Sequence, residues 1–95
     1  MNNKVDDIIV LKEFSFVGKE GKTAHSHWRH NEQFPRFAKF IITEVEEKEG
    51  QGFSGKCIPD IEDVQLMEYL ERMAEKESDG LFVCYWNEDN IVEIY

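Results

Sequence analysis

The sequence predicts an α+β domain: an antiparallel β-sheet of about five to six strands packed by a single α-helix. Three observations carry this expectation. Extended runs rich in β-branched and aromatic residues recur at Ile8–Val17, Arg36–Glu46 and Leu81–Trp86. One stretch after Pro59 repeats apolar residues at spacings of three and four. Glycine- and asparagine-rich segments separate these runs, as chain reversals require. With 41% hydrophobic and 13% aromatic residues, a 95-residue chain can build one modest core. Residues 8–95 are therefore read as a single domain, and the short polar segment 1–7 as a flexible N-terminus.

Ile8–Val17 reads as the first strand. Gly18-Lys19-Glu20-Gly21 follows as a reversal, because glycine takes up positive φ without steric penalty. Lys22–His30 can return as the second strand of a hairpin, with Asn31–Pro35 as a connection. Arg36–Glu46 alternates, with Ala38, Phe40 and Ile42 on one face and Phe37, Ile41 and Val45 on the other. A turn at Glu49–Gly52 leads to a short strand near Phe53–Ile58. Pro59-Asp60 opens the helix, with Asp60 as N-cap and Glu62 and Asp63 in its first turn, where the helix dipole favours anions. Ile61, Val64, Met67, Leu70 and Met73/Ala74 form its apolar stripe, and Ser78-Asp79-Gly80 ends it. Leu81–Trp86 and Ile91–Tyr95 are read as a closing hairpin joined by Asn87–Asn90.

Charge sorts the possible functions. Residues 1–43 hold seven Lys/Arg against five Asp/Glu, whereas residues 44–95 hold four against fifteen, so the net −9 resides in the second half. Such a field disfavours direct binding to nucleic acid or an anionic membrane and points to a basic partner. No apolar run approaches the roughly 20 residues of a membrane span, and no basic-then-apolar leader pattern stands at the N-terminus. Cys57 and Cys84 belong to no CxxC pair, which fits a reducing, cytoplasmic setting.

Two motif look-alikes call for chemistry. Gly50–Cys57 satisfies GxGxxG and falls one residue short of the phosphate-binding GxxxxGK[ST] pattern. Cys57 replaces the magnesium-ligating hydroxyl, Pro59 opposes a helix starting at Lys56, and Glu44, Glu46, Glu47 and Glu49 would repel phosphate. A glycine-rich turn is the expectation, and no cofactor is assigned. His25 and His27 would point the same way from a strand, about 6.6 Å apart. With His30 they are candidate metal ligands, weighed against a polar edge strand. No GxSxG or HExxH motif is present, and no catalytic residue is assigned, so a non-enzymatic role is expected.

The remaining signal is the carboxylates: Glu44, Glu46, Glu47 and Glu49 on a strand end, Glu62, Asp63, Glu68, Glu71 and Glu75 along the helix, and Glu88 and Asp89 near the C-terminus. Tyr69 and Trp86 stand among them as possible interface anchors. In size, charge and layout, residues 44–95 resemble the acidic DNA-mimic inhibitors often made by phages and the immunity-type inhibitors of nucleases. That resemblance implies a small cytoplasmic inhibitor that binds a basic nucleic-acid-binding protein in place of DNA or RNA. The alternative is an interaction or assembly subunit, homodimeric through a sheet edge or its helix, whose acidity serves solubility.

Overall fold

A computed structural model describes residues 4–26 and 37–95. Among these residues seven strands run β1 Ile8–Leu11, β2 Phe14–Val17, β3 Thr23–Ser26, β4 Ala38–Lys48, β5 Gly52–Pro59, β6 Cys84–Asn87 and β7 Ile91–Ile94, with α1 Val64–Met73 between β5 and β6. They form one antiparallel sheet in the order β3-β2-β6-β5-β4-β1-β7. The count exceeds the expected five to six because one run read as continuous is split in two, and a second segment, though it keeps its two strands, is arranged differently.

The first of these is Ile8–Val17. It breaks at Lys12-Glu13, and its halves pair in distant parts of the sheet: β1 between β4 and β7, β2 between β6 and β3. Only two residues join Leu11 to Phe14, a reach of about 11 Å at full extension. The sheet must therefore curl until β1 and β2 meet. Ring contact across the interior agrees with this, since Phe14 of β2 and Phe40 of β4 have centroids 4.8 Å apart.

The second is the C-terminal segment. β6 and β7 do not pair with each other, so the expected closing hairpin is not formed. Glu88–Asn90 makes a 3-10 turn in which the Asn87 side chain accepts from the Asn90 N–H at 3.2 Å. The chain then continues in the same sense, and β6 pairs with β2 while β7 pairs with β1. The Lys12 N–H donates to the Asn90 carbonyl, so the break in one strand faces the break in the other.

Other reversals follow the sequence. Gly18 N–H donates to the Lys22 carbonyl and Gly21 has φ 75°, closing the β2–β3 hairpin. Of the expected strand Lys22–His30, Thr23–Ser26 is present; residues 27–36 lie outside the described residues, as do residues 1–3. In the segment expected to be loose, the Asp6 N–H donates to the Ile42 carbonyl and the Asp7 carbonyl accepts from the Ile42 N–H, extending the β1–β4 ladder. Gly50 and Gly52, at φ 76° and 77°, turn β4 into β5, and Gly55-Lys56-Cys57 is strand, so no phosphate-cradling helix follows the glycines.

Ala38, Phe40 and Ile42 face the core as expected, but Thr43 is bulged: Ile42 pairs with Cys57 and Glu44 with Lys56. The extra residue reverses the alternation, so Val45 turns toward the core rather than away from it. Gly55 is required opposite the bulge, because a Cβ there would collide with the Glu44 carbonyl oxygen.

The helix starts three residues later than expected. Asp60 closes a turn by accepting from the Glu62 N–H at 3.0 Å, and Asp63 becomes the N-cap, accepting from the Leu66 N–H at 3.2 Å. Of the expected stripe, Leu70 and Ala74 are buried and Met67 packs against the core, but Leu66 enters the core in place of Ile61 and Val64, which are 70% and 63% exposed. The helix also ends early: Ala74 bridges to Gly18 and Lys76 to Phe82, and Gly80, at φ 82°, serves the following turn. Among the described residues no helix is long and apolar enough to cross a membrane.

Candidate functional site

The β4–β5 register decides where the acids go. Glu46 pairs with Ser54, and Ser54 with Asn87, so the last residues of β4 stand two strands from the 3-10 turn, about 10 Å away. Glu46, Glu47, Glu49, Glu88 and Asp89 are all exposed at this end of the sheet. Gly52 lacks a side chain where the Glu88 carboxylate lies, which lets that acid rest over the start of β5. A wide cleft here is lined by Lys48, Gly50, Gln51, Ser54, Glu88 and Asp89, with Lys48 its one cation among the described residues.

Glu44 stands slightly apart. Its carboxylate meets Lys56 Nζ at 3.7 Å, with both side chains about half exposed. Such a pair adds little stability, but it cancels charge locally.

The second acidic group belongs to the helix. Glu62, Glu68, Glu71 and Glu75 are exposed, and Glu71 is paired with Lys76 at 2.7 Å. Glu75 already lies past the helix, its N–H donating to the Val17 carbonyl. β5 begins at the glycine turn and ends at Pro59, where the helix approach begins. Eight residues of strand thus separate the two acidic groups by roughly 24 Å. They occupy opposite ends of the sheet rather than one continuous surface.

Three of the candidate residues are taken up by the fold. Asp63 is 4% exposed, and besides capping the helix it accepts from the Lys39 N–H at 3.1 Å. Trp86 is 3% exposed within the core, and its Nε1–H donates to the carbonyls of Glu44 and Lys56 at 3.2 and 3.1 Å. Tyr69 packs edge-on against Phe14 and Phe16, at centroid distances of 6.4 and 6.0 Å. Tyr85, half-buried beside Lys56 in the strand register, was not singled out from the sequence. Its signal is alternation in β6: Cys84 and Trp86 turn inward, so Tyr85 turns out.

Of the histidines, His25 lies on β3 with its Nδ1 2.9 Å from Ser15 Oγ on β2. His27 and His30 lie outside the described residues. Among the described residues no three His, Cys, Asp or Glu side chains gather closely enough to hold a metal ion. Cys57 and Cys84 are buried free thiols. No family profile, curated protein or solved structure matches this chain.

Proposed function

We propose that this protein is a small, non-enzymatic, acidic inhibitor that binds a basic nucleic-acid-binding protein by occupying the surface where DNA or RNA would lie. The observation that supports this reading is the placement of exposed Glu46, Glu47, Glu49, Glu88 and Asp89 at the β4–β5 end of the sheet, where Lys48 and Lys56 are the neighbouring cations among the described residues. Exposed carboxylates at one end of the sheet, with those of β4 about 10 Å from those of the 3-10 turn, present clustered negative charge of the kind that a phosphate-binding groove accepts. The contact is confined to that end; the helix acids, some 24 Å away along β5, are a separate solvated group. A cytoplasmic setting of the phage or immunity type suits such a role.

The test uses labelled duplex DNA, or labelled RNA for a ribonuclease, bound in turn to a nucleoid protein, an RNA polymerase, a restriction endonuclease and a ribonuclease. Adding this protein is expected to displace the nucleic acid from at least one of them. Raising salt from 50 to 500 mM should weaken the effect at least about tenfold, as charge-driven association demands. Glu46→Lys, Glu47→Lys and Glu49→Lys combined should abolish displacement without moving the melting temperature. Equal displacement by that variant, or none by the parent on any target, defeats the proposal.

A second reading, self-association through β7, is favoured by one observation. β7 stands last in the strand order, with Val92 and Tyr95 48% and 61% exposed. The same salt series separates the two, because an edge-to-edge contact barely responds to ionic strength.

A further inference from the structure

Cys57 and Cys84 lie directly opposite each other on the antiparallel strands β5 and β6. Both are fully buried, with side chains turned into the same core. Opposed residues of an antiparallel pair have Cα atoms about 4.5–5.5 Å apart. A disulfide requires about 4.4–6.8 Å. The two thiols are close enough to feel each other electrostatically. Between them the chain runs out through the helix and back, so a bond here would close a loop spanning α1.

We infer that Cys57 and Cys84 form an oxidative modification site, a latent cross-strand disulfide that the folded protein closes in place when exposed to a peroxide. Hydrogen peroxide takes two electrons from the pair. One sulfur, losing its proton, attacks a peroxide oxygen; the O–O bond breaks, water leaves, and a sulfenic acid remains. The second sulfur displaces the hydroxyl from that sulfenic acid, its own proton leaves with it as water, and the S–S bond forms. Two thiols and one peroxide thus give one disulfide and two waters. Because both sulfurs are buried, oxidant reaches them when β6 opens locally, so the crosslink forms slowly and its rate follows that opening. Burial also keeps both groups protonated near neutral pH, which holds the reduced form until an oxidant is supplied.

The full chain, folded, is treated with hydrogen peroxide, then denatured and alkylated. Expected is an intact monomer lighter by two hydrogens that takes up no alkyl group, formed faster in sub-denaturing urea. Its melting temperature should rise by roughly 10 °C or more, reversed by dithiothreitol, as closure of so long a loop implies. Cys57→Ser and Cys84→Ser each leave no crosslinked monomer. Should those variants misfold, parent protein oxidised while unfolded and then refolded supplies the same readout: an unchanged circular dichroism spectrum supports the site. Two alkylatable thiols after prolonged peroxide, intermolecular dimers in place of the monomer, or a crosslinked chain that cannot regain the fold each overturn it.

Discussion

At the residue scale, buried thiols make the protein sensitive to alkali. Burial pushes the Cys84 thiol up to about 12, and burial followed by the neighbouring Cys84 raises Cys57. Unfolding returns both to the ordinary value near 9. Below that pH both states are protonated and the full stability is present. Above it the unfolded chain loses protons that the folded one keeps, so stability falls as pH rises toward 12. The expected slope is up to about 1.4 kcal/mol per pH unit for each thiol. Urea midpoints measured from pH 8 to 11 should decline accordingly, and more gently in Cys57→Ala/Cys84→Ala. Parallel curves for the two proteins would mean that the thiols titrate alike folded and unfolded.

At the scale of single elements, the helix offers a direct check of phase. Leu70→Ala should cost about 2–5 kcal/mol, as removal of a fully buried leucine does. Ile61→Ala and Val64→Ala should stay within about 0.5 kcal/mol, because both side chains stand in solvent. Chemical denaturation of the Ile61 and Val64 variants distinguishes this arrangement from a stripe beginning at Ile61, with Leu70, buried in either, as the reference. The sequence reading failed here for a definable reason: Asp60 and Asp63 are both good caps, and three-four spacing is satisfied by either phase. Only the turn closed through the Asp60 side chain and carbonyl selects Asp63. Thr43 posed the same kind of difficulty, since a bulge leaves alternation intact on each side while exchanging the faces. By contrast, the turns at Gly21, Gly50 and Gly52 were legible, because a left-handed backbone is a local demand met by local residues. The acids were legible as a list, but their division into two ends was not. It depends on which strand end the helix follows.

For the molecule as a whole, the least legible feature was the pairing of distant segments. Nothing near Lys12-Glu13 announces that one extended run will serve two parts of a curled sheet, nor does Asn87–Asn90 distinguish a 3-10 turn from a reversal. Both depend on partners elsewhere in the chain. Non-local pairing of this kind slows folding, because loops must close before contacts reward them. Stopped-flow refolding is expected in milliseconds to seconds, and refolding within microseconds would be incompatible with this topology.

The bent first strand carries a consequence for biosynthesis. Ile9 pairs with Phe40 on one side and with Ile94 on the other, and the Ile8 carbonyl is met by the Tyr95 N–H at 2.8 Å. A nascent polypeptide therefore presents Ile8–Leu11 to the cell long before the ribosome has made its last ladder partner. Until then that apolar ribbon has one flank open, and chaperones or sister chains compete for it.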